Sequence, residues 1–126
     1  MKLFKNREPT LQAITAYDEK SITINHVRFS QSILVLPNVA PVLWPVSTFD
    51  RLTPDDFSAV VTAKPDLLIV GTGIQQRFLP PLLAVSLSSE KIGVEYMNTK
   101  AACRTFNLLL SEGRRVALAL FMEDSA

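Results

Sequence analysis

The feature that most constrains the fold of this chain is an unbroken apolar run, Leu67 to Val70. A strand with one solvated face alternates apolar and polar residues, whereas a strand inside a parallel sheet is apolar on both faces. The run therefore predicts a strand from Asp66 to Val70 that helices must cover on both sides. A predicted helix, Pro80 to about Ser89, and a second strand, Val94 to Met97, complete a βαβ unit.

Two further helices follow from local sequence signals. Thr53 is a predicted N-cap, with proline in the first helical position and an acidic residue at the third, so a helix should run from Pro54 to about Ala63. The clearest helical periodicity lies in Thr99 to Ser111, and a predicted strand from Val116 to Phe121 follows it. The apolar face of that helix consists of Ala102, Cys103, Phe106, Leu109 and Leu110.

The first half of the chain consists of short segments rich in Ile, Val and Thr, which are typical of an antiparallel β-meander. Asn25 and His26 stand where a two-residue hairpin needs positive φ, so we predict that His26 is a turn residue and not a catalytic one. A further strand, Val42 to Val46, lies among prolines, which predicts an edge strand with Trp44 half exposed. The predicted meander strands are Leu11 to Tyr17, Ser21 to Ile24, Val27 to Phe29 and Ser32 to Leu36.

Composition argues against several classes of function. Thirteen Lys and Arg against twelve Asp and Glu leave a net charge of +1, so we expect no nucleic-acid binding. One cysteine and one histidine can form neither an internal disulfide nor a usual zinc site, and we expect no metal and no cofactor. No apolar stretch has the length of a signal peptide or a membrane span, so we expect a cytoplasmic protein.

The length of 126 residues predicts a single domain with a core of its own. No polar interruption is long enough to separate the two halves into independent units. We therefore expect one α/β domain over residues 11–122, with a flexible N-terminus (1–10) and a short C-terminal tail (123–126).

The loop Gly71-Thr72-Gly73 follows the predicted central strand and shares part of the dinucleotide-binding fingerprint. Glu95 stands where that fingerprint has its ribose-binding acid. Gln76, however, replaces the third glycine, and the next helix begins only at about Pro80. We therefore predict that the loop is not a dinucleotide cradle and that its glycines supply unusual backbone angles. A nucleotide, cofactor or small-anion site, in an oxidoreductase for example, is the alternative.

The glycine loop should lie beside the start of the last helix, because neighbouring parallel strands end at the same edge of a sheet. Amides at a helix N-terminus favour anions, and basic side chains stand nearby in the sequence. We predict a shallow cleft that holds a carboxylate or phosphate-like group of a protein partner, or a small anion. The predicted cleft residues are Gly71, Thr72, Gly73, Arg77, Asn98, Thr99, Lys100 and Arg104.

Cys103 is the one residue of the chain with the chemistry of a strong nucleophile. It falls on the apolar face of the last helix, where a free cysteine behaves as a small buried hydrophobe. A reactive thiol would need exposure and a neighbouring base. We predict that Cys103 belongs to the core and that the chain has no catalytic set.

Two stretches, "PDLLIVGTG" and "GVEYMNTKAACRTFNLLLSEGRRVALAL", resemble a family of small domains of unknown function from archaea, bacteria and mitochondria. The mitochondrial members include the complex I (NADH:ubiquinone oxidoreductase) assembly factor 3 proteins. The resemblance extends from about Leu11 to Phe121 and is most specific between Met97 and Arg114. Asn98 replaces an aspartate that is usual in the family, and Phe106 stands where tyrosine is common. Both replacements keep the capping or packing role.

The resemblance implies a three-layer α/β fold with a mixed central sheet and no established enzymatic activity. It also implies a bacterial, cytoplasmic member without a mitochondrial transit segment. The leading hypothesis is therefore a non-catalytic protein that binds another protein and helps to assemble a respiratory membrane complex from the cytoplasmic side. The alternative is a protein that binds a small ligand or cofactor at the edge formed by Gly71, Thr72 and Gly73.

Overall fold

A computed structural model describes residues 13–18, 20–46 and 48–122. The expected flexible N-terminus (1–10) and C-terminal tail (123–126) lie outside these residues. The described strands are β1 (Ile14–Tyr17), β2 (Ile22–Ile24), β3 (Val27–Phe29), β4 (Ile33–Val35), β5 (Val42–Leu43), β6 (Leu67–Gly71), β7 (Gly93–Met97) and β8 (Val116–Leu120). The described α-helices are α1 (Ser58–Ala63), α2 (Pro81–Ser88) and α3 (Thr99–Ser111).

The strands form two sheets. The first three pair in the order β1-β2-β3, antiparallel throughout, as the predicted meander requires. The predicted fourth meander strand, Ser32 to Leu36, forms β4 instead, which pairs with β5 and β8 in the main sheet. The main sheet has five strands in the order β5-β4-β8-β6-β7. Strand β6 is parallel to both β7 and β8, while β4 is antiparallel to β8 and β5. The main sheet is therefore mixed.

The strand β6 lies inside the molecule on both faces, as its apolar run predicts. Leu68, Ile69 and Val70 are each 0% exposed. Leu68 and Val70 pack into a core that includes residues of α1 and α2, whereas Ile69 packs into a second core with α3 and the meander. The main sheet thus lies between two covering layers, which confirms the three-layer fold.

Helix α3 begins and ends at the predicted residues, because both ends carry specific caps. Asn98 is the N-cap, and its Oδ1 accepts a hydrogen bond from the Ala101 amide at 2.9 Å. At the other end, Gly113 has a φ of 77° and donates to the Leu110 carbonyl, and the next amide, that of Arg114, donates to Leu109. This pair of bonds is a Schellman motif.

The meander is attached to α3 by one side chain. Asn107 accepts a hydrogen bond from the Ile14 amide through Oδ1 and donates to the Ile14 carbonyl through Nδ2, both at 2.7 Å. The isoleucine side chains of the small sheet, Ile14, Ile22 and Ile24, pack into the core beneath α3. Polar and apolar contacts therefore hold the small sheet on this helix.

The β2–β3 turn has the predicted geometry. Asn25 and His26 have φ angles of 52° and 69°. Positive φ at both central residues defines the type I′ hairpin turn. His26 is thus a turn residue.

Trp44 corrects one prediction. The side chain is only 3% exposed, because its Nε1 donates to the Asp56 carbonyl at 2.8 Å and its ring packs edge-on against Phe57. The predicted strand Val42–Val46 shortens to Val42–Leu43, although its edge position is confirmed. The tryptophan lies beyond the strand, where it turns into the core beside α1.

The predicted helix over Pro54–Ala63 starts as a 3-10 turn, Pro54–Phe57, and becomes α-helical only at Ser58. Thr53 is the N-cap, and it forms a capping box with Asp56. The Asp56 carboxylate accepts hydrogen bonds from the Thr53 amide at 2.8 Å and the Thr53 hydroxyl at 3.3 Å. The carboxylate is therefore a capping group of this turn.

We expect Asp56→Ala to lower the free energy of unfolding by about 0.5–2 kcal/mol, the usual loss for a helix cap. Urea unfolding followed by circular dichroism measures this change. The matched control is Asp55→Ala, which removes a neighbouring exposed carboxylate from the same turn. Equal losses in the two variants would show that the carboxylate of Asp56 does not hold the turn.

Candidate functional site

The glycine loop and the start of α3 lie side by side. The Thr99 amide donates to the Gly73 carbonyl, and the Thr72 amide donates to the Met97 carbonyl, both at 2.8 Å. The parallel pairing of β6 and β7 causes this arrangement, because both strands end at the same edge of the sheet. The predicted contact between the two segments is confirmed.

A cleft of about 310 Å³ lies at this contact. Five of the eight predicted residues line it: Gly73, Asn98, Thr99, Lys100 and Arg104. Three lining residues were not predicted, namely Asp18, Ile74 and Ala101. Asp18 comes from the end of β1 and was missed because no local signal indicates that the meander packs beside α3.

Gly71 does not line the cleft, and it does not have the unusual backbone angle that we predicted. It is the last residue of β6, and the positive φ belongs to Gly73, at 94°. A Cβ atom at Gly71 would lie 2.5 Å from Leu120 Cδ1 and 3.2 Å from Ala102 Cβ. The absence of a side chain at Gly71 therefore lets α3 pack closely on the main sheet.

Thr72 also lies behind the cleft and not within it, since it is 0% exposed. Its Oγ1 accepts a hydrogen bond from the Arg77 amide at 3.0 Å and donates to the Gln75 carbonyl at 2.7 Å. The hydroxyl therefore closes the loop on itself. A ligand in the cleft cannot reach this buried side chain.

Arg77 points to the opposite side of the main sheet. Its guanidinium lies 4.8 Å from the ring centroid of Phe49 and 5.6 Å from that of Phe121, and both rings belong to the core on the α1 and α2 side. It also donates to the Thr72 carbonyl at 3.2 Å. Sequence distance had placed Arg77 in the cleft, whereas cation–π packing holds it on the far face.

The main-chain donors of α3 are mostly occupied within the protein. The Thr99 amide donates to the Gly73 carbonyl. The Ala101 amide donates to Asn98 Oδ1, and the Ala102 amide donates to the Asn98 carbonyl. Among the described residues, the Lys100 amide is the one in the first turn with no acceptor within hydrogen-bond distance. Recognition in this cleft must therefore depend on side chains more than on the helix amides.

The side chains around the cleft are predominantly cationic. A second cleft of about 520 Å³ adjoins the first and shares Asp18 and Lys100 with it. Together the two clefts are lined by four cationic side chains, Lys20, Arg28, Lys100 and Arg104, against one carboxylate. We call these four residues the basic surface. Its local positive charge contrasts with the near-neutral charge of the whole chain.

The single carboxylate of this region is bound to the meander itself. The amides of Lys20 and Ser21 donate to Asp18 Oδ1 at 2.8 Å each and lower the pKa of Asp18 below its usual value. Asp18 therefore stays ionised and organises the β1–β2 turn. Arg28 of the basic surface also lowers the pKa of Asp18, but one negative charge against four cations neutralises that surface only in part.

Cys103 is a core residue, as predicted. It is 0% exposed, and burial raises the pKa of its thiol to about 12, a rise that the nearby Arg104 opposes only weakly. A thiol with this pKa is protonated at neutral pH and is not a nucleophile. No cluster of three or more His, Cys, Asp or Glu able to hold a metal occurs within residues 13–18, 20–46 and 48–122.

The mixed sheet and its two covering layers define an α/β domain of the Mth938-like kind. The solution structure of a Mth938-like domain from Bordetella pertussis is 32% identical to this chain and superposes with a TM-score of 0.81. The match includes 100% of this chain and 95% of the Bordetella pertussis chain. A crystal structure from Bordetella parapertussis is 39% identical, with a TM-score of 0.83, over 89% of this chain and 96% of that one.

The chain belongs to the family described as "Protein of unknown function (DUF498/DUF598)", whose model matches residues 14–121. Among its relatives is the Bos taurus protein named NADH dehydrogenase (ubiquinone) 1 alpha subcomplex assembly factor 3, which is 30% identical over 122 residues. The alignment includes 95% of this chain and 66% of the cattle protein, so this chain spans about two thirds of that relative. Within the described ranges, no helix has both the length and the apolar character needed to cross a membrane.

We expect Gly71→Ala to lower the free energy of unfolding by about 1–3 kcal/mol, because the new methyl group overpacks the contact between α3 and the main sheet. Chemical unfolding measures the change. Gly93→Ala is the matched control, since a Cβ at that position of β7 would meet its nearest atom at 3.5 Å, an ordinary contact. Similar stabilities of the two variants would contradict the packing role of Gly71.

We expect the thiol of Cys103 to react slowly with a thiol reagent in the native protein and rapidly in denaturant. The pKa gives a second expectation. Because the folded pKa is raised to about 12 from 9.0, the unfolded thiol loses its proton first as the pH rises. The stabilising contribution of Cys103 is therefore complete below about pH 9 and decreases above it.

Unfolding of the native chain and of Cys103→Ala, compared from neutral pH to about pH 10, measures this contribution. The difference in unfolding free energy between the two proteins should shrink above about pH 9, since all other groups are common to both. Rapid labelling of the native thiol, or a difference that is independent of pH, would show that Cys103 is not buried as described.

Proposed function

We propose that this chain is a non-catalytic, assembly-factor-like protein of the bacterial cytoplasm that binds an acidic segment of a partner protein through the basic surface. We further propose that the partner is a subunit of a respiratory membrane complex of the complex I type. The observation that carries the first proposal is the unbalanced positive charge of Lys20, Arg28, Lys100 and Arg104 around two adjoining clefts.

The composition of the cleft favours binding over catalysis. Its lining combines two cations, the carboxylate of Asp18, one exposed isoleucine and the capped end of α3, and the neighbouring thiol of Cys103 is buried and protonated. Cationic side chains on short elements attract carboxylates at a distance and orient them on contact. The same cations would also accept a free phosphate, so we propose small anions as weaker occupants of the same cleft.

Relatives support the assembly role. The cattle protein and its counterparts are named as assembly factors of NADH dehydrogenase, and the similarity to the cattle protein includes 95% of this chain. Their names describe those proteins and not this one. The transfer to this chain is therefore part of the proposal, and it is limited to the domain that the alignment covers.

We expect the double variant Lys100→Glu with Arg104→Glu to lose at least about tenfold in affinity for its partner, since about 1.4 kcal/mol is lost per tenfold and two attractive contacts become repulsive. Tagged chain purified from its native organism, followed by quantitative mass spectrometry, measures the recovery of respiratory-complex subunits. The matched control is Arg114→Glu, which reverses an exposed cation beyond the far end of α3.

Two outcomes would contradict the proposal. Equal recovery with the double variant and with the native chain would exclude the basic surface as the binding site. A saturable response to a nicotinamide, flavin or adenine nucleotide that Gly73→Val weakens would favour the ligand-binding alternative instead. Added phosphate should shift the amide resonances of Lys100 and its neighbours, and shifts elsewhere would exclude an anion site in the cleft.

A further inference from the structure

A second surface of the molecule, the free edge of β7, has unsatisfied main-chain groups. β7 is the last strand of the main sheet. The Gly93 amide bonds to the Asp66 carbonyl of the neighbouring chain segment, and the Met97 carbonyl accepts from Thr72. In a parallel ladder, alternate residues face the same neighbour, so Val94 and Tyr96 direct their amides and carbonyls outward.

One side chain confirms this direction. Gln76 Nε2 donates to the Tyr96 carbonyl at 2.9 Å, and so caps one of the outward groups. The Val94 amide and carbonyl and the Tyr96 amide have no acceptor or donor among the described residues. The outer edge of β7 therefore has three groups ready to pair and one that is already covered.

The two edges of the main sheet differ in how they are protected. At the opposite edge, β5 has two residues and lies between Pro41 and Pro45, and short proline-bounded strands resist pairing. β7 has five residues and contains no proline or lysine. Unprotected edges of this kind are templates for an added strand.

An exposed apolar surface accompanies the free edge. Phe78 is 66% exposed and its ring meets that of Tyr96 at 5.1 Å, edge to face. Leu82 and Val85 of α2, the helix that packs over β7, are 83% and 60% exposed. The inner face of α2 is also apolar, through Leu83 and Leu87. Ser86 and Ser88 interrupt this helix, but its exposed apolar side chains on the outer face, beside Phe78, are typical of a surface that a partner covers.

The charge on β7 distinguishes between two occupants of this edge. If two copies of the chain paired antiparallel through both outward residues of β7, Val94 of each copy would lie opposite Tyr96 of the other. The two Glu95 residues would then lie directly opposite each other at the centre of the pair. Like charges directly opposite each other destabilise a sheet. A foreign strand with a cation at that position would instead gain an attractive cross-strand pair.

We propose that the edge of β7 accepts an extended segment of a partner protein as an additional antiparallel strand. The residue opposite Glu95 is Lys or Arg, and its two neighbours are apolar and lie on the α2 side, beside Phe78. This inference rests on the protein-binding role proposed above, but it uses a surface separate from the basic surface. The partner would displace the side chain of Gln76 from the Tyr96 carbonyl.

A strand attached to the chain itself tests this proposal. The probe is Thr-Val-Lys-Val-Thr, fused to the C-terminus through a flexible Gly/Ser linker, which gives an effective concentration on the order of millimolar. The measurement is hydrogen exchange of the Val94 and Tyr96 amides by NMR. If the effective concentration of the attached strand is about ten times its dissociation constant for the edge, exchange at both amides should slow about tenfold.

Charge reversal supplies the specificity control. The probe Thr-Val-Glu-Val-Thr should protect the two amides less, and Glu95→Lys should exchange the preferences of the two probes. Leu82→Lys should weaken protection, whereas Leu108→Lys, on an exposed leucine of α3, should not. The Lys100→Glu and Arg104→Glu variant should bind the probe normally, because its defect lies in the other surface.

Several results would overturn the inference. Unchanged exchange at both amides would show that the edge does not accept a strand. Equal protection by both probes, in the native chain and in Glu95→Lys, would show that residue 95 does not select a cation in the added strand. The native chain could instead form a dimer, which light scattering would detect. If Leu82→Lys dissociated that dimer and Glu95→Lys did not, the occupant of the edge would be a second copy of this chain and not a foreign strand.

Discussion

The close approach of α3 to the centre of the main sheet is the contact on which the rest of this structure depends. It occurs where Gly71 lacks a side chain and Ala102 and Leu120 fill the space. The contact closes the core on one face of β6, and it also fixes where the helix begins relative to the ends of β6 and β7. A packing requirement in the interior thus determines the position of the surface cleft.

The same contact explains why the site differs from the nucleotide-binding loop that its sequence resembles. In a dinucleotide cradle the helix that follows the glycine loop directs its free amides at a phosphate. Here the hydroxyl of Thr72 closes the loop, and amides in the first turn of the adjoining helix donate hydrogen bonds to Asn98 and Gly73. What remains for recognition is a set of cationic side chains spread over two adjoining clefts, which suits an extended acidic surface better than a single phosphate.

Local signals in the sequence were sufficient for α3, because its helical periodicity predicted the segment from Thr99 to Ser111, which the structure bounds with the Asn98 cap and Gly113. The apolar run in β6 likewise predicted burial on both faces. Trp44 and Arg77 were misplaced because their partners, Asp56, Phe49 and Phe121, are brought to them by tertiary packing that no neighbouring residue indicates. The contribution of the meander to the basic surface was missed for the same reason.

The paired hydrogen bonds of Asn107 have a mechanical consequence for the basic surface. An amide side chain that bonds both main-chain groups of Ile14 imitates a neighbouring strand, so β1 is held to the helix as though to a sheet. Lys20 and Arg28 lie on the meander, whereas Lys100 and Arg104 lie on α3. The spacing between these two pairs of charges therefore depends on an attachment outside both clefts, and loosening that attachment would alter recognition without touching a charged residue.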